Sequence, residues 1–126
     1  MIEVTVYEIA TGRFTSQLTL FDQAEVEANT PALHTSIAGH YDVQLEWFDL
    51  VSGAVALRPS LPAVANPYDV TGFPAETEIS IKDDLGSVTG VTDLSSPIEF
   101  EDAGTYEVIV RPPFPYLPVE GEVVVA

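Results

Sequence analysis

The chain has 126 residues, of which 46% are hydrophobic, enough for one ordinary domain or two small ones. Twenty Asp and Glu against four Lys and Arg give a formal charge of -16, which repels phosphate backbones and anionic membranes and argues against nucleic acid as a partner and against membrane insertion. The absence of cysteine removes disulfides, thiolate nucleophiles and thiolate metal sites together.

Residues 2–7 alternate apolar and polar with period two, Ala10-Thr11-Gly12 supplies a turn, and residues 14–20 alternate again, the pattern of a β-hairpin. Asp22 and Glu25 have the residue types of a helix N-cap and its third position, so the spacing predicts a short helix over 23–29, ended by Pro31. A second hairpin is expected from a strand over 43–48, a turn at Val51-Ser52-Gly53 and a return through Val55 and Leu57. Residues 58–67 hold Pro59, Pro62 and Pro67 and read as an extended, semi-rigid connector. The expected organisation is therefore a hairpin-rich β module over 1–58, a linker over 59–67 and a second module over 68–126.

In the second half, strands are predicted near 77–82, 87–92, 98–101, 105–111 and 119–125, separated by Gly, Pro and Asp turns, which points to a small sandwich or barrel. Asp102-Ala103-Gly104-Thr105-Tyr106 leads straight into an alternating strand. This resembles the corner of an immunoglobulin-like β-sandwich, where a Tyr at the start of the penultimate strand anchors the preceding turn through its hydroxyl. Asp102, Gly104 and Tyr106 are the expected corner. Val108 stands where antibody domains carry a cysteine, so the resemblance is to cysteine-free relatives of the fold, and the fold class is all-β. Between the last two strands, Pro112, Pro113, Phe114, Pro115, Tyr116, Leu117 and Pro118 form a pre-ordered loop. Pro112, Pro113, Phe114, Tyr116 and Leu117 are the interface candidates, since pre-ordering lowers the entropic cost of binding; the alternative is a rigid loop that packs Phe114 and Tyr116 on its own sheet.

Catalytic patterns are thin. Glycoside hydrolysis needs two carboxylates about 5 to 10 Å apart, and Glu46 beside Trp47 would point away from that ring in a strand. His34 and His40 have no Ser, Cys or carboxylate neighbour in a nucleophilic motif, and with Asp42 they match no zinc spacing. Calcium is the one ion the residue types suit, through Asp83 and Asp84 with Glu99, Glu101 and Asp102; the reading without any cofactor takes these acids as turn residues. No phosphate-binding glycine loop is present, and the chain is expected not to be an enzyme. Trp47 is expected in the core on a face shared with Val43 and Leu45, with a sugar-stacking role as the alternative. The N-terminus has neither a basic nor a long apolar leader region, so the chain is expected to stay in the cytoplasm where it is made unless a larger body carries it out.

Residues 1–66, taken as Tyr7-x3-Thr11-Gly12, an acidic helix, Ile37-Ala38-Gly39-His40-Tyr41-Asp42, an aromatic strand, Ser52-Gly53 and Arg58-Pro59-x-Leu61-Pro62, resemble small tail proteins of tailed bacteriophages. The second half is similar to the immunoglobulin-like modules appended to phage virion proteins. The resemblance implies a structural part of the tail tip or baseplate, assembled in the host bacterial cytoplasm and carried in the virion. Its partners would be other virion tail proteins and further copies of itself in the particle, with a host surface glycan as an additional contact. The rival readings are a capsid decoration protein and a carbohydrate-binding module that stacks sugars on Trp47, Tyr41, Phe114 or Tyr116.

Overall fold

The computed structural model describes residues 1–126 and divides into two units, residues 1–58 and 59–126. Strands dominate both, and one short helix is present.

In the first unit, β1 (Ile2–Glu8) is the centre of an antiparallel three-stranded sheet, flanked by β2 (Phe14–Leu20) and, after α1 (Gln23–Ala28), by β3 (His34–Ala38). Asp22 caps α1 by accepting from the Glu25 amide at 3.0 Å, and Asn29 closes it. Val26 is its one buried residue, joining Val4, Val6 and Phe14 in the small apolar interior. Burying each such side chain is worth about 1.5–3 kcal/mol. Thr5 is also fully buried. Its hydroxyl donates to the Gly39 carbonyl at 2.9 Å and accepts from the Tyr41 amide at 3.0 Å, so the polar group carries no desolvation penalty and fastens the chain leaving β3 back onto the central strand.

The second hairpin is β4 (Glu46–Asp49) and β5 (Ala54–Leu57). The strand expected from residue 43 begins three residues later. Asp42 Oδ1 accepts from the amides of Gln44 and Leu45, an Asx turn that competes with the ladder. Val43 and Leu45 therefore share no strand face with Trp47. The hairpin docks on the β1–β2 turn: the Phe48 amide donates to the Gly12 carbonyl at 2.9 Å, and Trp47 bridges Arg13. Gly12 has φ +80°, and a Cβ there would lie 1.8 Å from the Phe48 carbonyl oxygen. A bulge after Val6 sets Tyr7 opposite Phe14, and the Tyr7 ring stacks on Phe48 at 4.7 Å.

In the second unit, β6 (Glu78–Lys82), β7 (Val88–Val91), β8 (Gly104–Arg111) and β9 (Val119–Val125) form an antiparallel sheet in the order β7-β6-β8-β9. That is the order of the C′, C, F and G strands of immunoglobulin-type sandwiches. Ile79, Val108, Val110 and Val123 face a core completed by Tyr68, Val70, Phe73 and Phe100. The covering layer is extended chain with almost no ladder. Residues 98–101, expected as a strand, contribute one bridge, Ile98 with Tyr68, whose two bonds measure 2.8 and 2.9 Å. Pro67 and Pro97 stand immediately before the bridged residues. Two residues along the same register, the Asn66 side-chain amide replaces a main-chain pair, donating to Phe100 O and accepting from Phe100 N at 3.1 Å each.

The proline-rich stretch 59–67, expected as a linker, belongs to this layer instead. Ser60 pairs with Leu117 in parallel, Leu61 and Val64 pack against the core, and Pro62 O accepts the Tyr68 hydroxyl at 2.7 Å. Its apolar side chains are what bind it down.

Candidate interaction surfaces

The corner residues come together as the spacing predicts. The Tyr106 hydroxyl donates to Asp102 O at 2.8 Å, and its ring lies 5.1 Å from that of Phe100. Gly104 is required twice, by φ +147° and because a Cβ would sit 2.8 Å from an Asp84 carboxylate oxygen. The other oxygen of Asp84 accepts from the Thr105 amide at 2.7 Å, which ties the β6–β7 turn to the start of β8. Partial burial raises the Tyr106 phenol pKa, and the carboxylates of Asp102, Asp84 and Asp83 raise it further.

These acids define the geometry of the calcium candidates. Asp83, Asp84 and Asp102 border one open hollow of about 360 Å³, and Glu99, Glu101 and again Asp102 border another beside Ile98 and Phe100. Asp83 Oδ1 is occupied by the amides of Leu85 and Ser87. No three His, Asp or Glu side chains converge on a point that would hold a metal ion. Of these acids, Asp83 and Asp84 accept main-chain amides through their carboxylates.

The loop candidates lie along the second unit's own chain, as in the alternative of a rigid, packed loop. Pro112, Pro113, Phe114, Tyr116 and Leu117 are all half-buried, Tyr116 N donates to Pro113 O and Leu117 N to Pro59 O. The loop is packed rather than projecting, because its partner strand is the proline-rich stretch taken for a linker.

In the first unit, His34 opens β3 and His40 lies two residues past its other end. His34 Nδ1 is 2.9 Å from Ala32 O, and His40 Nε2 is 3.0 Å from Leu18 O. Glu46 Oε1 accepts from the Asp42 amide. Trp47 is half-buried against Gly12 rather than fully in the core, and Tyr41 stacks on Phe14 at 5.8 Å, so both rings offered as sugar platforms already have protein against them. Arg58, with Nη1 on Gln44 O at 2.9 Å, has its pKa lowered by burial and then by the nearby Arg13. No helix is long and apolar enough to cross a membrane.

Sequence reasoning passed over the exposure of several apolar side chains of this unit, among them Phe21, Leu33, Val51 and Leu57. Only the fold reveals that nothing covers them.

Compared with known proteins, the chain matches no family model, no curated protein and no solved structure.

Proposed function

We propose that this chain is a non-enzymatic structural component of a tailed-bacteriophage virion, seated at the tail tip or baseplate, where it positions fibres or meets the host surface. The observation that carries this reading is the first unit's incompleteness. Six residues are buried in it, while eight large apolar residues stay exposed in a body of 58 residues. Modules this small are marginal alone, and apolar surface left uncovered marks sites of protein contact. The residues behind the phage-tail resemblance are also nodes of the fold: Gly12 receives the second hairpin, and Gly39 and Tyr41 are clamped by Thr5. Strands β2, β3, β7 and β9 are sheet edges, available to neighbouring subunits of a symmetric assembly.

The test is immunogold labelling of phage particles released by the host that carries the gene, with antibody against the full chain. Gold at the tail tip is the expected result. Gold on the capsid would make the chain a decoration protein, and unlabelled particles would end the virion reading.

A further inference from the structure

One end of the first unit is apolar in a way that folding does not require. The α1–β3 connection closes with a turn, His34 N donating to Pro31 O at 3.2 Å, and the third residue of that turn is Leu33 at φ +64°. Glycine or asparagine is the usual occupant of such a position, because a Cβ there meets the following carbonyl. Leu33 is the chain's only non-glycine residue with positive φ, and it is 84% exposed. Strain and solvent exposure of a leucine at one position are separate costs, and neither is offset within the unit.

Its neighbours share the character. The Leu33 carbonyl accepts from the Ile9 amide at 3.1 Å, which places the exposed Ile9 beside it. Because β4 bridges the start of β2 in antiparallel sense, through Arg13 with Trp47 and Gly12 with Phe48, the β4–β5 hairpin runs out past the same end. Its tip presents Leu50 and Val51, the latter 98% exposed. That tip is held in shape: Asp49 Oδ1 accepts from Val51 N at 2.9 Å, and Asp49 O accepts from Gly53 N at 2.8 Å. A pre-shaped apolar tip gives up little freedom on docking.

We infer that Ile9, Leu33, Leu50 and Val51 are the anchor by which this chain docks on a protein partner, and that the partner offers an apolar pocket rimmed by Lys or Arg. The rim follows from charge. Glu8, with Arg13 at 3.9 Å, and Asp49 flank the anchor, and the unit carries eight carboxylates against Arg13 and Arg58. A second copy would bring the same acids face to face, whereas a basic rim complements them. The inference deepens the reading of the chain as an assembly component and rests on it only for the partner's being a virion protein.

The experiment places a photo-reactive phenylalanine analogue at position 33, at 51 or, as a control, at the equally exposed Leu85 of the second unit, in the full chain expressed in the cells that produce it. Cross-linked peptides are then sequenced. Products from 33 and 51 that map to one protein, at apolar residues next to Lys or Arg, are the expected result. A yield from 33 and 51 no higher than from 85, or products joining two copies of this chain, would overturn the proposal. If the partner is found and is no virion protein, the docking surface stands and the virion reading fails. Leu33→Gly supplies the second measurement: removal of an anchor side chain should cut the yield from position 51 about tenfold while the melting temperature holds or rises, since glycine relieves the strain. A yield unchanged by Leu33→Gly would remove Leu33 from the anchor.

Discussion

The two units solve the same problem with different means. The second gathers eight buried residues from two layers, with nine partly buried ones around them, and its proline-rich segment and corner serve that core. The first has little interior and is held instead by hydrogen-bond stitches: the Thr5 hydroxyl to the Gly39 turn, and Gly12 O to Phe48 N. Core burial is distributed and tolerant of small changes, whereas a stitch through one glycine is not. The difference predicts that the units respond to different mutations.

Gly12→Ala should have the largest effect. A methyl at that site overlaps the Phe48 carbonyl at 1.8 Å, and it disfavours the left-handed backbone as well, so the second hairpin must detach. A loss of about 3 kcal/mol or more is expected. The chain's single tryptophan, Trp47, is in the docked hairpin and reports the event by fluorescence during urea unfolding, while the amide signals of Val108 and Val110 report the second unit. Trp47 should lose its native signal at lower urea in the variant, with those amides unmoved. Joint loss of both signals would mean that the units are one cooperative body.

Asn66→Ala attacks the other unit at its thinnest point. It leaves Phe100 N and O without the amide that pairs them at 3.1 Å, at a cost of about 1–3 kcal/mol. The near-ultraviolet signal of the Tyr68 and Phe73 rings should melt earlier, and the Trp47 transition should stay in place. Tyr106→Phe is milder, because the ring remains against Phe100 and one hydrogen bond to Asp102 O is lost, about 1 kcal/mol. An effect on Trp47 from either substitution would erase the contrast between the units.

Much of this was legible in residue pattern, for reasons that separate by length scale. Alternation located β1, β2, β8 and β9, and Asp102-x-Gly104-x-Tyr106 located the corner, because those signals are local. What the pattern missed depends on partners far along the chain. Residues 59–67 look like a linker until Leu61 and Val64 find a core to cover. Residues 98–101 look like a strand until the Asn66 side chain takes the place of a main-chain partner at Phe100. The early start predicted for β4 failed on Asp42, whose side chain bonds two amides that a strand would have used. The docking surface was the least legible, since Leu33 and Val51 are conspicuous only for contacts they do not make.

The smallest effect concerns acid. Asp69 and Asp93 make matching turns: Asp69 Oδ1 accepts the Thr71 hydroxyl at 2.6 Å and amide at 3.1 Å, and Asp93 Oδ1 accepts those of Ser95 at 2.6 and 3.0 Å. In each case the hydroxyl bond, then the amide bond, holds the carboxyl pKa below its ordinary value, since both bonds favour the ionised form. The folded state thus binds a proton less readily than the unfolded chain. Whatever the two turns contribute is present above the usual Asp range and is lost as pH falls through the lowered folded values. Both residues are in the second unit, so acid should remove this contribution from that unit. Carboxyl-carbon NMR titration of the folded chain should place both midpoints below 3.8, the ordinary value. Thr71→Ala should raise that of Asp69 and leave Asp93 as an internal reference; if Asp69 does not move, the hydroxyl is not what lowers it.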